Sequence, residues 1–502
     1  MEKWQKDLAA WRKTPFISRL LAKYPQAEVF LVGGAVRDAI LGRKTNDFDF
    51  VVRGVAKKDL QKFLTTQGKV DLVGKRFGVF KFRLPDWQGE AIDIALPRTE
   101  HAVTMSGAYR DFKINSNASL KIEDDLSRRD FTINALAFQI AAQSNQLKAK
   151  SALIDPFNGL SDLKKGIVRT VGNPELRFKE DYSRILRAIR FACQLDFEIE
   201  AKTWKSILKN IKNLNKKIGA ERVVPYEVIA KELVKAVGRN PLWALELLDK
   251  SGAVKQLFPE LLRSKKCPQP KIFHSEGDCW VHMLLAVASL FSKKFKNEFK
   301  AQVPAEVVWA AIFHDIAKPY TMTVSDRIRF NNHDALSAKM WRQAADHLKL
   351  SSAGLKTEIT EQLILKHMLP VHSQVKAMKD TTLEKYFFNP NFPGDELLML
   401  IFADVCATVP PSGKPDFSSY KLLKKRIAAL AKKGLNKKIL PPPLVNGHDL
   451  IRQFKLESSP QIGKLLLLLR EAQLSGQIKD KKAGLALINK VVKKYKGKEI
   501  KR

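Results

Sequence analysis

Hydrophobic and polar positions follow two different patterns along this chain. Near its start, short runs carry the β-branched and aromatic residues that favour strands. These runs predict strands at 27–34, 47–52, 78–84 and 90–96. Helical stretches, such as 35–41 and 57–67, lie between them. This part of the chain therefore predicts a small mixed α/β head.

From about residue 155 onward, apolar residues return at spacings of three and four, which is the period of an amphipathic helix. The stretches RILRAIRFACQL, VIAKELVKAV, WALELLDKSG and KLLLLLREAQL show this period. We therefore predict an α+β fold, in which the small N-terminal head is followed by a long all-α body. Polar or proline-rich segments predict joints at 141–151, 263–271 and 437–447.

The balance of charge indicates a polyanionic partner. The 502 residues include 88 Lys and Arg against 52 Asp and Glu, which gives a formal net charge of +36. Basic side chains placed on phosphates release condensed counterions, so such an excess favours binding to nucleic acid. Solubility alone and an anionic membrane surface are the alternatives. The basic residues are spread along the whole chain, which argues against a compact membrane-binding patch.

Cysteine usage and hydropathy predict a reduced, cytoplasmic protein that does not associate with membranes. No C-x-x-C pair occurs, which argues against a disulfide framework and a structural zinc site. The first residues, MEKWQKDLAAWRKTP, lack the apolar core of a signal peptide, and the longest nearly apolar run, 280–291, is too short to span a bilayer. The four cysteines are Cys193, Cys267, Cys279 and Cys406.

The stretch FLVGGAVRDAILGRKTNDFDFVV carries the most informative chemistry. Gly33 and Gly34 follow a predicted strand and open a helix, so their backbone N–H groups can face a phosphate, and Arg37 can add a charged contact. Asp47 and Asp49 are two residues apart, which places both carboxylates on one face of a strand. A pair of divalent ions such as Mg²⁺ would neutralise them and drive in-line nucleotidyl transfer. The alternative is a solvated acidic pair on an edge strand.

Asp93, in the predicted strand at 90–96, is a candidate third carboxylate. A side chain solvated near the end of a strand is the other interpretation of this residue.

The motif GGAVRD followed by DFD resembles the signature of the polymerase-β-like nucleotidyltransferase superfamily. Three more motifs follow in order, RRDFTINALAF, DPFNGLSDLKKGIVRTVGNP and EDYSRILRAIRF. Together they are similar to the class II branch, which holds bacterial CCA-adding enzymes and poly(A) polymerases. The resemblance covers the first two hundred residues.

The second motif offers further contacts to a nucleotide. Arg129 can reach a triphosphate, while Asp130 and Asn134 offer hydrogen bonds to a ribose. A generic basic patch and a helix-capping role for Asn134 are the alternatives. Asp155 fits a turn that precedes a helix, and we expect it to be structural.

The fourth motif predicts how a base is chosen. Asp181 and Arg184 are three apart at the start of a predicted helix, so their side chains are expected to be neighbours. An acceptor beside a fork of donors suits the amino group and ring nitrogen of cytosine or adenine. Uracil and guanine present a carbonyl and an N–H at the corresponding positions, so acceptor would face acceptor and donor would face donor. The resemblance assigns Asp181, Arg184, Arg187 and Arg190 to nucleotide binding. An ordinary helix ion pair is the alternative for Asp181 and Arg184, and an outward RNA contact for Arg190.

In the helical body, a histidine, a later His-Asp doublet and a distant aspartate resemble the HD phosphohydrolase superfamily, in which such residues ligate a divalent metal. The predicted ligands are His282, His314, Asp315 and Asp404. Imidazole and carboxylate together suit Mn²⁺, Ni²⁺ or Fe²⁺ better than Mg²⁺. His333 and His367 are possible additional ligands. The alternative is a bundle that binds no metal.

These features predict template-independent addition of C, C and A to the 3′ end of tRNA, from CTP and ATP, with release of pyrophosphate. A poly(A) polymerase, or an enzyme that adds only CC or only A, shares every motif. An HD phosphohydrolase with an RNA-binding head is the alternative from another class. The predicted domains are a catalytic head at 1–150, a nucleotide-selecting and RNA-binding region at 151–262, an HD-type domain at 263–436 and a basic helical tail at 437–502.

Overall fold

The computed structural model describes residues 2–73, 79–85, 89–102, 106–108, 112–141, 153–372, 374–434 and 439–499. The chain divides into two compact units, Met1–Phe258 and Pro259–Arg502. The predicted joint at 141–151 lies outside the described residues apart from its first residue. The finer division into four domains stays a prediction.

The first unit is the mixed α/β part of the chain with a set of helices after it. Its strands are β1 (Glu28–Val32), β2 (Asp49–Arg53), β3 (Lys69–Val73), β4 (Val79–Arg83), β5 (Ile92–Ala95), β6 (Arg98–Ala102), β7 (Phe112–Ser116), β8 (Ala137–Ala141), β9 (Leu153–Ile154), β10 (Ile167–Val168), β11 (Glu198–Ile199), β12 (Lys217–Ile218) and β13 (Glu221–Arg222). Its helices are α1 (Lys3–Ala9), α2 (Pro15–Lys23), α3 (Gly34–Ile40), α4 (Lys57–Gln67), α5 (Ile122–Ser127), α6 (Gly159–Lys165), α7 (Pro174–Glu180), α8 (Ser183–Leu195), α9 (Ala201–Asn210), α10 (Tyr226–Arg239), α11 (Pro241–Lys250) and α12 (Ala253–Leu257).

Seven of these strands form one sheet in the order β3-β4-β5-β2-β1-β8-β9. Its strands pair antiparallel except β2 and β5, which run parallel. The four predicted strands are confirmed as β1, β2, β4 and β5, although β2 begins at Asp49 and not at residue 47. Strands β3, β6, β7 and β8 were not predicted from the sequence.

The side chains of β2 lie alternately on the two faces of the sheet, and the two faces pack against different parts of the unit. Phe50 is 1% exposed and packs against Trp11 and Phe16 from the N-terminal helices. Val51 lies in a separate buried cluster that includes Leu126 of α5. Because the strand alternates, Asp49 lies on the same face as Val51, towards α5 and the residues that follow it.

The second unit is helical apart from one short hairpin, β14 (Met322–Val324) and β15 (Ile328–Phe330), in its described part. Its helices are α13 (Cys279–Ser289), α14 (Lys293–Phe299), α15 (Ala305–Phe313), α16 (Lys318–Thr321), α17 (His333–His347), α18 (Thr357–Lys366), α19 (Leu369–His372), α20 (Asp380–Phe387), α21 (Gly394–Ala407), α22 (Ser418–Ala431), α23 (Gly447–Phe454), α24 (Pro460–Ser475) and α25 (Lys481–Glu499). The predicted order, a mixed head followed by a helical body, is confirmed. None of the described helices has the length and apolarity that crossing a lipid bilayer requires.

Candidate active site and candidate metal centre

The turn between β1 and α3 brings bare backbone close to an arginine. Gly33 has φ +70° and ψ −127°, a conformation that side-chain-bearing residues rarely adopt. A Cβ atom at Gly33 would lie 2.5 Å from Nη1 of Arg129. Gly34 follows as the first residue of α3. Glycine at position 33 therefore allows the strand-to-helix turn and the Arg129 guanidinium to pack together.

Three carboxylates gather beside this turn. Asp49 and Asp93 are partners in register on the parallel strands β2 and β5. Asp47 is exposed and lies before β2, so the prediction that both residues of the DFD motif occupy the strand is wrong for Asp47. Burial is the main reason that the pKa of Asp49 is raised to about 6; Arg129 opposes this shift, and the charges of Asp47 and Asp93 add to it.

Asp93 has the surroundings expected of a cation ligand. Burial raises the pKa of its carboxyl group, Lys81 opposes the shift, and the charge of Asp47 adds to it. Its Oδ1 atom is buried and accepts no hydrogen bond from the described residues. A buried, unpartnered carboxylate oxygen is costly unless a cation or a donor meets it. The carboxylates of this cluster therefore fit the oxygen-ligand set that Mg²⁺ prefers.

The residues of the RRDF motif are tied together by hydrogen bonds. Asn134 accepts from Nη1 of Arg37 at 2.6 Å and donates to Oδ1 of Asp130 at 3.2 Å. Nη2 of Arg129 lies 3.2 Å from the buried carboxylate of Asp125. Burial alone would raise the pKa of Asp130, but the charge and hydrogen bond of Arg187, the charge of Arg184 and the hydrogen bond from Asn134 together lower that pKa to about 2. Asp130 is thus an ionised anchor between this motif and α8.

Asp181 and Arg184 occupy different positions from those predicted. Asp181 has extended backbone after the end of α7, and α8 begins at Ser183, so the prediction that Asp181 starts the same helix as Arg184 is wrong. Oδ1 of Asp181 accepts from the backbone N–H of Ser183 at 2.8 Å. Nη1 of Arg184 pairs with Glu180 at 2.6 Å. The ordinary ion pair between Asp181 and Arg184 is therefore not formed, and each side chain is held by another partner.

Arg187 and Arg190, the two later arginines of the motif EDYSRILRAIRF, make contacts inside the first unit. Nε of Arg187 donates to Asp130 at 2.7 Å. Arg190 is 7% exposed, and its Nε lies 3.0 Å from Glu232 of α10. This burial contradicts the outward RNA contact that was the alternative for Arg190. Arg190 also stacks over the ring of Phe191, with its guanidinium carbon 4.3 Å from the ring centroid.

Asp155 has the structural role expected from the sequence. Its two carboxylate oxygens accept from the backbone N–H groups of Gly159 and Leu160, at 2.7 and 2.9 Å. These contacts satisfy the first donors of α6, which no residue within the helix can reach.

In the second unit, all the predicted metal ligands of the HD motifs converge. Nε2 of His282 lies 2.9 Å from Oδ1 of Asp404 and 3.6 Å from Oδ2 of Asp315. Nε2 of His314 lies 3.3 Å from Oδ2 of Asp315 and 3.6 Å from Oδ1 of Asp404. Both histidines are fully buried. Ligand atoms of His282, His314 and Asp404 all lie within 4.8 Å of one another, as a shared cation requires.

Outer contacts orient these imidazoles. Nδ1 of His282 contacts Glu276 at 2.9 Å, and Nδ1 of His314 lies 2.9 Å from the carbonyl oxygen of Ala311. Metal-binding histidines commonly direct their second ring nitrogen to a carboxylate or a carbonyl in this way. Burial disfavours the protonated form of His314, yet the charges of Asp315 and Asp404 and the hydrogen bonds to both together raise its pKa to about 10. The donor set therefore fits a divalent transition metal, which would replace that proton.

Two residues of this cluster, Glu276 and Lys318, were not predicted from the sequence. Nζ of Lys318 lies 2.6 Å from Oδ2 of Asp315 and 2.8 Å from Oε1 of Gln269, so it orients the aspartate. The spacing of three between Asp315 and Lys318 is a signal that could have identified the lysine. Glu276 precedes its helix, and only the folded chain brings it to His282.

The close approach at Gly33 leads to a prediction with a matched control. Gly33→Ala is expected to destabilise the protein by about 1–3 kcal/mol and to raise KM for CTP, because the new Cβ strains the turn and displaces Arg129. Gly42 also has a positive φ, +66°, but nothing lies within 4 Å of its Cβ position. Gly42→Ala should therefore cost stability without changing KM. Urea unfolding and initial rates measure both; equal KM values in the two variants would contradict the phosphate-binding role predicted for this turn.

Comparison with known proteins gives two family matches. Residues 29–169 match the poly(A) polymerase head domain, and residues 284–388 match the HD domain. A multifunctional CCA protein of Neisseria meningitidis serogroup B is 34% identical over 358 residues, covering 71% of this chain and 76% of that protein. A multifunctional CCA protein of Nitrosococcus oceani is 36% identical over 297 residues, covering 59% of this chain and 64%, less than two thirds, of that protein.

Solved structures have the same fold. The Thermotoga maritima CCA-adding enzyme complexed with tRNA matches with a TM-score of 0.58 at 22% identity, covering 97% of this chain and 98% of that one. A CCA-adding enzyme in complex with CTP matches with a TM-score of 0.59, also at 22% identity, and covers 97% of this chain and 98% of that one.

Proposed function

Because this chain belongs to the family of multifunctional CCA proteins, we propose that it adds C, C and A to the 3′ end of tRNA from CTP and ATP and releases pyrophosphate. The observation that carries this proposal is the gathering of Asp47, Asp49 and Asp93 beside the Gly33 turn and Arg129. The formal net charge of +36 suits tRNA as the substrate.

Members of this family use divalent metal, and Mg²⁺ is the ion that we propose. Asp47 and Asp49 would hold it, and Asp93 stands where a third carboxylate can contribute. When bound, it would lower the pKa of the terminal 3′-hydroxyl group and stabilise the leaving pyrophosphate. The backbone N–H groups at Gly33 and Gly34, with Arg129 beside them, would bind and orient the triphosphate.

Asp181 and Arg184 are proposed to select the base. Oδ2 of Asp181 accepts no hydrogen bond from the described residues, although Oδ1 is held by Ser183. Arg184 is fixed by Glu180, which leaves a rigid guanidinium to face a ring nitrogen. The charge of Arg184 lowers the pKa of Asp130, and the charge of Asp181 raises the pKa of Arg187. Asp181 and Arg184 therefore interact electrostatically with the residues of the RRDF motif.

The proposed reaction is tested by tRNA-dependent release of pyrophosphate. We expect release with CTP on tRNA that lacks its last three nucleotides, release with ATP on tRNA that ends in CC, and little with UTP or GTP. Sustained release with ATP alone, on RNA of any sequence, would instead identify a poly(A) polymerase.

A second activity is favoured by the cluster of histidines and aspartates in the second unit. We propose that His282, His314, Asp315 and Asp404 bind a divalent transition metal and that this centre hydrolyses phosphate esters. The contacts from Glu276 and the Ala311 carbonyl to the histidine rings support this proposal, because they direct the other ring nitrogen of each histidine at the aspartates, as in metal-bound histidines.

The two activities should be separable. His314→Gln is expected to abolish metal-stimulated hydrolysis of a phosphate ester and to leave nucleotide addition unchanged, because the residues assigned to the two reactions lie in different units. Hydrolysis of p-nitrophenyl phosphate with added Mn²⁺ or Ni²⁺, measured beside CTP incorporation, checks this. Loss of incorporation in the folded variant would show that the two sites are coupled.

A further inference from the structure

The N-terminal segment of the first unit, residues 3–23, packs against the sheet that carries the proposed magnesium ligands. One of its side chains, Trp11, lies in a short 3₁₀ turn, Ala10–Lys13, between α1 and α2. The ring centroid of Trp11 lies 4.7 Å from that of Phe48 and 5.2 Å from that of Phe50. Phe48 is the middle residue of the DFD motif. The N-terminal segment therefore contacts this motif directly.

The part of the motif that carries Asp47 lies beyond the paired part of β2. The pairing of β2 with β1 and with β5 reaches Asp49 and goes no further towards Asp47. The backbone N–H of Asp47 donates to Oγ1 of Thr45 at 3.2 Å, and the same hydroxyl group donates to the carbonyl oxygen of Asp47 at 3.3 Å. These contacts lie within one turn, so they shape the turn but do not fix it to the sheet.

Phe48 ties this turn to the rest of the unit. Its carbonyl oxygen accepts from the backbone N–H of Asp93 at 3.0 Å. Its ring packs on Trp11, which is itself held, because Oγ1 of Thr14 donates to the Trp11 carbonyl oxygen at 2.6 Å. The peptide group between Asp47 and Phe48 is planar and rigid. A Phe48 ring that is held by Trp11 therefore also restricts where the carboxylate of Asp47 can lie.

We propose that Trp11 is a positioning residue for the magnesium site of the first unit. Its ring holds Phe48 and so keeps the carboxylate of Asp47 within reach of the ion that Asp49 binds. This inference rests on the proposed function, in which these two aspartates hold Mg²⁺. Groups that bind a reacting centre have to be held within about 0.5 Å of their productive positions by the residues around them. Trp11 supplies that support from outside the motif, without touching the substrate.

Trp4 provides a matched control within the same segment. Its ring packs edge-on against Phe138 of β8, with the ring centroids 6.0 Å apart. Strand β8 carries none of the three carboxylates of the proposed site. The substitution Trp4→Ala therefore shows what loosening the N-terminal segment does by itself, and Trp11→Ala shows what the loss of the Phe48 contact adds.

The test is the Mg²⁺ dependence of CTP incorporation by the full-length protein. Trp11→Ala is expected to raise the half-saturating Mg²⁺ concentration about 10- to 100-fold, as the loss of a residue that orients a metal ligand does, and to leave KM for tRNA unchanged. Trp11→Phe keeps an aromatic ring against Phe48 and should restore a value close to that of the unmodified protein. Trp4→Ala should leave the Mg²⁺ dependence unchanged.

Equilibrium dialysis of labelled CTP in the absence of tRNA provides a readout that does not depend on turnover. Mg²⁺ should strengthen the binding of CTP by the unmodified protein and by Trp4→Ala, and this gain should be smaller or absent in Trp11→Ala. Binding of CTP without Mg²⁺ should be equal in all three proteins, because the Gly33 turn and Arg129 are left intact.

A double-mutant cycle shows whether Trp11 acts through Phe48. Phe48→Leu should shift the Mg²⁺ dependence in the same direction as Trp11→Ala, and the combination of the two should add little further. Circular dichroism and urea unfolding establish that each variant is folded. If Trp11→Ala does not fold, Phe48→Leu alone is expected to give the shift.

Three results would overturn the inference and leave the proposed function intact. An unchanged Mg²⁺ dependence in folded Trp11→Ala would limit Trp11 to packing. An equal shift in Trp4→Ala would assign the effect to the N-terminal segment as a whole, and fully additive shifts in the double variant would show that Trp11 does not act through Phe48. No incorporation of CTP by the unmodified protein at any Mg²⁺ concentration would instead overturn the proposed function, on which the inference rests.

Discussion

Asp49→Asn is expected to reduce nucleotide addition by on the order of 10³-fold or more, while tRNA binding changes little. The carboxylate of Asp49 faces Asp93 across β2 and β5, in the cluster that would hold Mg²⁺. An amide of the same shape removes the charge that would bind the ion. A catalytic metal stabilises the transition state by several kcal/mol. Single-turnover incorporation of CTP at saturating Mg²⁺ measures the rate, and filter binding measures the affinity for tRNA.

Asp71→Asn is the matched control for this substitution. Asp71 is an exposed aspartate on β3 of the same sheet. Its replacement should leave the rate within about twofold, because a surface change of this kind has little effect. A rate near that of the unmodified protein in Asp49→Asn would show that the reaction occurs elsewhere.

Asp181→Ala is expected to lower the preference for CTP over UTP more than it lowers affinity for the triphosphate. The carboxylate has one oxygen available to accept from the amino group of the base. Loss of a charge-assisted hydrogen bond should cost roughly 1.5–3 kcal/mol, or roughly 10- to 150-fold in selection. The measurement is the ratio of kcat/KM for CTP and UTP on a tRNA that awaits its second C.

The control for Asp181→Ala is Asp59→Ala, at an exposed position on α4. The same ratio should be unchanged there. An unchanged ratio in Asp181→Ala, with overall activity merely reduced, would show that Asp181 does not select the base. Its role would then be to accept the hydrogen bond from Ser183 at the start of α8.

The elements that carry the chemistry could be predicted where the local pattern is strong. An apolar run, two glycines and a helical period predict the strand that precedes Gly33, the turn at Gly33 and the helix that follows it. Strand β6 could not be predicted in this way, because RTEHA is largely polar. Strand β7, FKINS, alternates over only four residues, which is the shortest run that indicates a strand.

The parts of the site that depend on pairing required the structure. Asp93 joins the carboxylate cluster only because β2 pairs parallel with β5. The sequence of neither strand alone determines this pairing. Asp181 breaks a helical pattern that is present on both sides of it. Its side chain does this by accepting a hydrogen bond from the backbone N–H of Ser183. The four histidines beside Asp315, which are His282, His314, His333 and His367, likewise come from four different parts of the second unit's sequence.

The most direct measurement of the central claim is the sequence of the added nucleotides. Three tRNA transcripts, ending immediately before the first C, the second C and the final A, are incubated with all four nucleoside triphosphates and Mg²⁺, and their 3′ ends are sequenced. The proposed function predicts that all three end in CCA and that extension then stops. Continued addition of A beyond that point, or no addition to the transcript that lacks all three nucleotides, would contradict it.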